Sequence, residues 1–347
     1  MGVLKFKHWE YWPSYMFYLP NIPYAVYLAL RAKNLVFFSA TNPAIVHSGN
    51  GSESKFSSVE LIPNAFKPVS IFIKSKNDIQ NTLHKIHENK LEFPLIVKPD
   101  IGFRGLLVKK IQTKIELVNY LTKYQKLNLI IQEFVGYKNE CGIFYHRIPQ
   151  EIRGKITSIT LKKYLTVTGN GISTLEQLIE NDKRAKLYLP LLQELHQKNF
   201  ALVLKKNEVF MLNVIGNHSK GTQFINGNHL ISNELETAID TIIKKIPGFY
   251  YGRLDIKYTH FEDLIALKNF KIIEINGIIS EPTHIYDPSN INYFKALKEI
   301  RKHWELIYKI ATRNHKINKV KYEAISDYIN SLKKLKKYSE LIKKLQN

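Results

Sequence analysis

A single cysteine, Cys141, stands in 347 residues. That excludes a disulfide framework and any cysteine-based zinc site, and it fits a reducing compartment. Acidic residues are also scarce: 30 Asp and Glu face 51 Lys and Arg, a net charge of +21. Such an excess suits an anionic partner, whether nucleotide, nucleic acid or membrane surface. The abundance of Lys, Asn and Ile along the whole chain is an equally good compositional source for it. RNA-recognition aromatics, helix-turn-helix and zinc-finger spacings are lacking, so nucleic acid is not expected. Fixed-period repeats and long polar tracts are lacking too. With 44% apolar residues, two or three globular lobes are expected.

Charge is missing altogether from "YWPSYMFYLPNIPYAVYLAL" (11–30), between Glu10 and Arg31. It has no small-residue cleavage site and too many aromatics for a signal peptide. Its length would span a bilayer, yet Pro13, Pro20 and Pro23 interrupt any helix. Its Trp and Tyr residues favour the headgroup zone. A buried helical lobe, an interfacial anchor and a span all stay open. The Lys-rich end, with Ile325, Tyr328, Ile329, Leu332, Leu335 and Tyr338 at helical spacing, reads as a basic amphipathic helix that packs on its own domain or faces a membrane or partner.

Between these ends strands and helices alternate, often through short turns. "NLVFFSAT" (34–41), "VSIFI", "FPLIVKP", "LLVKKI", "LNLIIQEFV", "CGIFYHRI", "KITSITLKKYL", "FALVL", "VFMLNVIG", "YGRLDIKY" and "FKIIEI" read as strands. Helices follow capping-box spacings at Asn77/Gln80, Thr113/Glu116 and Ser173/Glu176. The pattern predicts an α+β fold with largely antiparallel sheets.

Two strand ends carry chemistry. In "FKIIEING", Glu274 and Asn276 are two residues apart and share a strand face. In "YGRLDIKY", Arg253 and Asp255 do the same. If these strands pair, three oxygen donors and a guanidinium converge, which suits either a hard cation such as Mg²⁺ or a structural ion pair. At the other end "FPLIVKPDIGFRG" sets Lys98 at the end of an apolar strand, directly before a Gly-containing turn whose amides can hold phosphate. It is not a Walker loop. "IIQEFV" then offers polar Gln132 and Glu133, and a loop leads to Glu140, a carboxylate suited to ribose hydroxyls.

In this order the four motifs resemble the ATP-grasp superfamily of carboxylate–amine ligases, which includes D-alanine–D-alanine ligases and glutathione and cyanophycin synthetases. The resemblance covers about residues 55 to 290. "TVTGNGISTLEQLIENDKR" and "IGNHSKGTQFIN" look like segments of the cyanophycin-synthetase branch, with Asn170 where Asp is usual and Lys220–Gly221 in place of a Gly-rich pair. The aromatic N-terminus departs from the α/β lobe that usually precedes such a fold.

The resemblance implies an ATP-grasp fold, two α+β lobes with ATP between them, flanked by the aromatic segment and the basic helix. The boundaries expected are 1–68 for the aromatic segment, 69–137 and 138–312 for the lobes, and 313–347 for the helix. It implies ATP and two Mg²⁺. Lys98 would contact the α-phosphate and adenine, Gly102, Arg104 and Gly105 would cover the outer phosphates, and Lys55 would be a further phosphate lysine. Gln132, with Glu133 beside it, and the Val135 backbone would meet adenine, and Glu140 the ribose. Asp255, Glu274 and Asn276 would hold the metals, and Arg253 the transferred phosphoryl group. His218, Ser219, Glu281 and His284 are candidates for substrate contact. The partners implied are a small carboxylate and an amine, and such ligases are often homodimers. The location implied is cytoplasmic, with peripheral membrane contact through either end. A phosphotransferase, or an ATP-binding membrane-surface scaffold without turnover, is the alternative.

Overall fold

The computed structural model describes residues 9, 12, 14–103, 105–287, 289 and 291–346. Every strand ladder among them is antiparallel, so the α+β expectation holds.

In the first lobe β1 (Ser70–Ile73), β2 (Leu95–Pro99), β3 (Lys109–Ile111) and β4 (Leu129–Glu133) form a sheet of order β1-β4-β2-β3. Alternation sorts its faces. Leu95, Val97, Leu129 and Ile131 pack with Leu117 and Leu121 of the helix Lys114–Lys123, while Ile96, Lys98 and Gln132 look into a cleft.

The second lobe begins with β5 (Asn139–His146) and β6 (Lys155–Lys163). A small ladder of β7 (Thr166–Thr168) and β8 (Val209–Met211) follows, then β9 (Gln223–Asn226), β10 (Tyr251–Tyr258) and β11 (Phe270–Asn276). Its five-stranded sheet runs β11-β10-β5-β6-β9. Cys141, Ile143, Ile159, Leu254 and Ile256 bury one face against Ile239 and Ile242 of the helix Asn233–Ile243. The opposite face closes the cleft.

Both proline-rich and Lys-rich ends are built into this body. Pro20 and Pro23 sit in the first turns of short helices, where their missing N–H costs nothing. The helix Ile22–Ala32 lies along the 25-residue helix Tyr293–Ile317. Asn21 bonds the Leu297 carbonyl at 3.1 Å, Tyr24 bonds Glu305 at 2.7 Å, and Arg301 reaches Asn21 at 2.6 Å. On the far side Met16, Leu19, Ile22, Val26 and Leu30, at helical spacing, are exposed. No helix among the described residues is long and apolar enough to cross a membrane. The C-terminal helix, Ile325–Gln346, packs Ile342, Tyr338 and Leu341 into the first lobe's core.

Two expected strands are not strands. Residues 37–40 form a 3₁₀ turn under the helix Tyr293–Ile317, so "NLVFFSAT" buries Val36, Phe37 and Ala40 by side-chain packing and not in a ladder, while Leu35 stays exposed. "FALVL" is a loop with one isolated bridge, Thr174 to Val203. Two caps also shift by one residue: Asp78 and Thr174 cap their helices, the latter with Gln177 completing the box, because these side chains reach the free amides three residues on.

Candidate active site

One face of β10 organises the cleft. Tyr251, Arg253, Asp255 and Lys257 alternate with the core residues Leu254 and Ile256, so they line the cleft in sequence order, about 7 Å apart at each step. The cleft has a volume of about 1030 Å³ and is walled by both lobes.

Arg253 Nε bonds Asp255 Oδ1 at 3.2 Å, and its Nη1 reaches the Glu281 carbonyl at 3.4 Å. Lys162 bonds the same Asp255 oxygen at 3.1 Å, and Asn276 Nδ2 bonds Oδ2 at 3.2 Å. Burial alone would raise the Asp255 pKa, but Arg253 and Lys162 outweigh it and hold the carboxyl well below the usual range.

Across the ladder Asp255 faces Glu274 and Arg253 faces Asn276. Strict alternation from Phe270 and Ile272, both in the core, would put Glu274 in the core as well. Ile273 is an extra residue at a β-bulge, and it resets the parity: Ile275 is buried while Glu274 and Asn276 turn to the cleft. The donors are two carboxylates and an amide, all hard oxygens, which fit Mg²⁺ sharing its shell with phosphate and water. No group of three or more His, Cys, Asp or Glu suited to a metal occurs among the described residues. A cation here would therefore depend on ligand oxygens to complete its shell.

The other wall is basic. Lys98 Nζ bonds Gln132 Oε1 at 3.1 Å, and Gln132 Nε2 bonds Ser70 at 2.9 Å. Burial first, and then the charge of Lys55, push Lys98 down to about 7. Lys55 opens the helix Lys55–Glu60, and Asp100, at the end of β2, fixes that helix start through Ser54 Oγ at 2.9 Å and the Phe56 amide at 3.0 Å. Lys55 is thus held where it pairs with Glu274; burial lowers its pKa against the pull of Glu53 and Asp255. Gly102 lies over it: a Cβ there would come within 2.9 Å of Lys55 Cε. Gly105 meets Ile215 of the second lobe, so the turn after β2 bridges the two walls. Arg104 lies outside the described residues.

Glu133 turns away from Lys98, accepting from the Val69 amide at 3.0 Å. The Val135 and Tyr137 carbonyls accept from Lys257 Nζ at 3.3 and 3.2 Å, which ties the hinge between the lobes to β10. Glu140 is buried, with Lys162 at 2.6 Å on one oxygen and Tyr164 at 2.5 Å on the other. Burial alone would lower the Lys162 pKa, but Asp255 and Glu140 outweigh it and raise it.

Lys162, Tyr164 and Lys257 are site residues that the sequence reading missed. A signal was there. In "TSITLKKY", Ser158, Thr160 and Lys162 are polar at every second position, which is a polar sheet face pointing at something.

Of the expected substrate residues, His218, Ser219 and Glu281 line the cleft. Ser219 Oγ bonds Asn217 at 2.9 Å. The Glu281 carboxyl accepts from Tyr286 at 2.6 Å, and burial raises its pKa while Tyr286 opposes the shift. His284 does not reach the cleft. It is buried beneath it, bonded to Ser158 at 2.7 Å, and burial pushes it down to about 4, so it ties the loop after β11 to β6.

No family model matches the chain. No curated protein matches it either. Solved structures do. A D-alanine–D-alanine ligase from Bacillus anthracis is 15% identical over 76% of this chain and 68% of its own, with a TM-score of 0.42. VanG D-Ala:D-Ser ligase from Enterococcus faecalis is 16% identical over 74% of this chain and 61% of its own, at 0.42. The ATP-grasp ligase PsnB, complexed with a minimal precursor, is 14% identical over 74% and 60%, at 0.39.

Proposed function

We propose that this protein is an ATP-dependent ligase that joins a carboxylate to an amine, with ATP and Mg²⁺ held between the two lobes. The observation that carries this reading is the convergence of Arg253, Asp255, Glu274 and Asn276 from one wall with Lys98 and Lys55 from the other. Cations and hard oxygen donors facing one another across a cleft suit a polyphosphate and its counterion.

Lys98 and Lys55 would bind phosphate oxygens, and the turn 99–105 would close over them. Lys257 fixes the hinge against which adenine would stack, and Glu140 would meet the ribose hydroxyls on exchanging one of its bonds to Lys162 and Tyr164. Asp255, Glu274 and Asn276 would hold magnesium, which when bound would neutralise charge on the transferred phosphoryl group. Arg253 orients the substrate carboxylate toward that group. A carboxylate oxygen bonds the γ-phosphorus as the bond to the leaving ADP breaks. The amine then attacks the carbonyl carbon, phosphate leaves with the C–O electron pair, and the amine proton goes to solvent or phosphate. The chain forms no covalent bond; it positions groups and excludes water from a hydrolysable acyl phosphate.

Release of ADP and phosphate should require a carboxylate and an amine together. ADP released with the phosphoryl group retained on an alcohol product would make the protein a phosphotransferase instead.

The exposed stripe Met16, Leu19, Ile22, Val26 and Leu30 supports a second property. Together with the net charge of +21 it suits peripheral contact with an anionic bilayer surface.

A further inference from the structure

After Asn276 the chain leaves β11 in a loop whose Ser280, Glu281, Pro282 and Thr283 line the cleft. The loop is anchored on both sides of Glu281. Ser280 Oγ donates to the Asn276 carbonyl at 3.2 Å, and Thr283 Oγ1 donates to Thr160 Oγ1 of β6 at 3.0 Å. Between them the Glu281 carbonyl accepts from Arg253 Nη1 at 3.4 Å. Glu281 therefore stands next to the guanidinium assigned above to the substrate carboxylate.

Its side chain is held differently from the other cleft acids. Asp255 pairs with Arg253 and Lys162, Glu140 with Lys162, and Glu274 with Lys55. Glu53 and Glu133 accept from backbone amides. The Glu281 carboxyl has neither a cation nor an amide among the described residues; its one bond comes from the Tyr286 hydroxyl to Oε2 at 2.6 Å. Oε1 has no bond among the described residues and keeps accessible surface, for Glu281 and Tyr286 are both partly exposed where they line the cleft. Burial raises the pKa of this carboxyl, the direction that makes it a better proton acceptor.

A carboxylate in a cleft without a cation calls for one. A metal ion needs more oxygen ligands than one carboxylate and a phenol supply. An ammonium ion brings its own N–H donors and needs only an acceptor.

Resting on the ligase reading, we propose that Glu281 binds the amine substrate, and that this substrate is a primary aliphatic amine that enters as its ammonium ion. An N–H of the ammonium bonds Oε1, and that proton passes to the carboxylate. The neutral nitrogen attacks the carbonyl carbon of the acyl phosphate, and phosphate leaves with the C–O electron pair. The second proton, shed as the amide forms, goes to phosphate, and Glu281 returns its own to solvent. A nucleophile that arrives neutral gains little from the charged partner, so the site favours the ammonium form.

Trp9 reports on this place, since its Nε1 donates to the Ile285 carbonyl at 3.2 Å and it lines the cleft. Butylammonium and 1-butanol share an alkyl stem and differ in charge. At matched ionic strength and neutral pH, butylammonium should shift the tryptophan emission of the wild-type protein with a half-saturation at least tenfold lower than 1-butanol. Glu281→Gln should abolish most of that preference, with a melting temperature within a few degrees of wild type, because the amide oxygen still accepts from Tyr286. Equal half-saturation for the two probes, no shift with either, or a preference that Glu281→Gln leaves intact would overturn the proposal. The wild-type comparison stands even if the variant folds poorly. ADP release is followed separately: an ammonium preference lost in Glu281→Gln, without ADP release in any acid–amine mixture, would defeat the ligase reading alone. ADP release that requires an amine, with no ammonium preference in binding, would defeat this one alone.

Discussion

Asp255 and Glu274 stand opposite each other across β10 and β11, on the cleft face, and they do so because Ile273 is an extra residue in its strand. The bulge brings two carboxylates together in a wall that also holds Arg253 and Lys162. Holding like charges in register is expensive unless cations compensate, and here Lys55, Lys162 and Arg253 do so. In the proposed reaction that pairing serves a second purpose, since the same carboxylates would accept a divalent ion.

Asp255→Asn should lower turnover about 10²- to 10³-fold, the scale expected for losing one charge-stabilising group. It should also remove the dependence of ATP affinity on Mg²⁺. Titration of ATP with and without the metal, in wild type and variant, checks this; an unchanged metal dependence would exclude Asp255 as a ligand.

Two glycines should separate chemistry from nucleotide binding. A Cβ at Gly142 would lie 3.0 Å from Arg253 Cδ and 3.4 Å from Asp255 Oδ1, whereas one at Gly216 would lie 2.5 Å from both Glu140 oxygens. Gly142→Ala should lower kcat by about tenfold with KM for ATP little changed, because a misplaced reacting group costs rate. Gly216→Ala should raise KM for ATP by a similar factor. Steady-state kinetics on the two variants, beside their melting curves, distinguish these effects from general unfolding.

ATP affinity should fall as pH rises. Lys98 titrates near 7 in the free protein, and its charged form, dominant below that value, is the one that holds phosphate. Binding an anion raises its pKa, so protonation is taken up on binding, and above pH 7 affinity should weaken by up to about tenfold per unit. Lys98→Gln should bind weakly with a flat profile between pH 6 and 8.5. A wild-type profile equally flat would show that Lys98 does not meet the nucleotide.

Membrane contact should depend on the N-terminal stripe. Replacing Leu19, Val26 and Leu30 by Ser removes apolar side chains that are 64%, 52% and 70% exposed and touch little of the protein's interior. Sedimentation with anionic vesicles should fall several-fold, while the melting temperature stays within a few degrees. Sedimentation unchanged from wild type would place any membrane contact elsewhere.

Much of this architecture is legible in the sequence because alternation and strand ends are local signals. Lys98 closes an apolar strand, and Arg253 and Asp255 share a face by simple count. Glu274 is the instructive case: its motif is visible, but period-two counting from Phe270 would bury it, and only the paired strand reveals the bulge. Glu140 reads as a free carboxylate, yet Lys162 and Tyr164 hold both its oxygens from a strand whose polar alternation at Ser158, Thr160 and Lys162 went unused. His284 is misplaced for the opposite reason. Its loop follows directly on Glu274 and Asn276, but a 3₁₀ turn points the ring into β6.

In the proposed reaction a substrate carboxylate is activated by phosphorylation. This is tested most directly with the carboxylate that supports turnover, labelled in both oxygens with ¹⁸O, by mass analysis of the phosphate released. Each phosphate should carry one ¹⁸O, transferred when the C–O bond breaks, and this product should be lost in Glu274→Ala. Phosphate free of label, released at the wild-type rate, would contradict it.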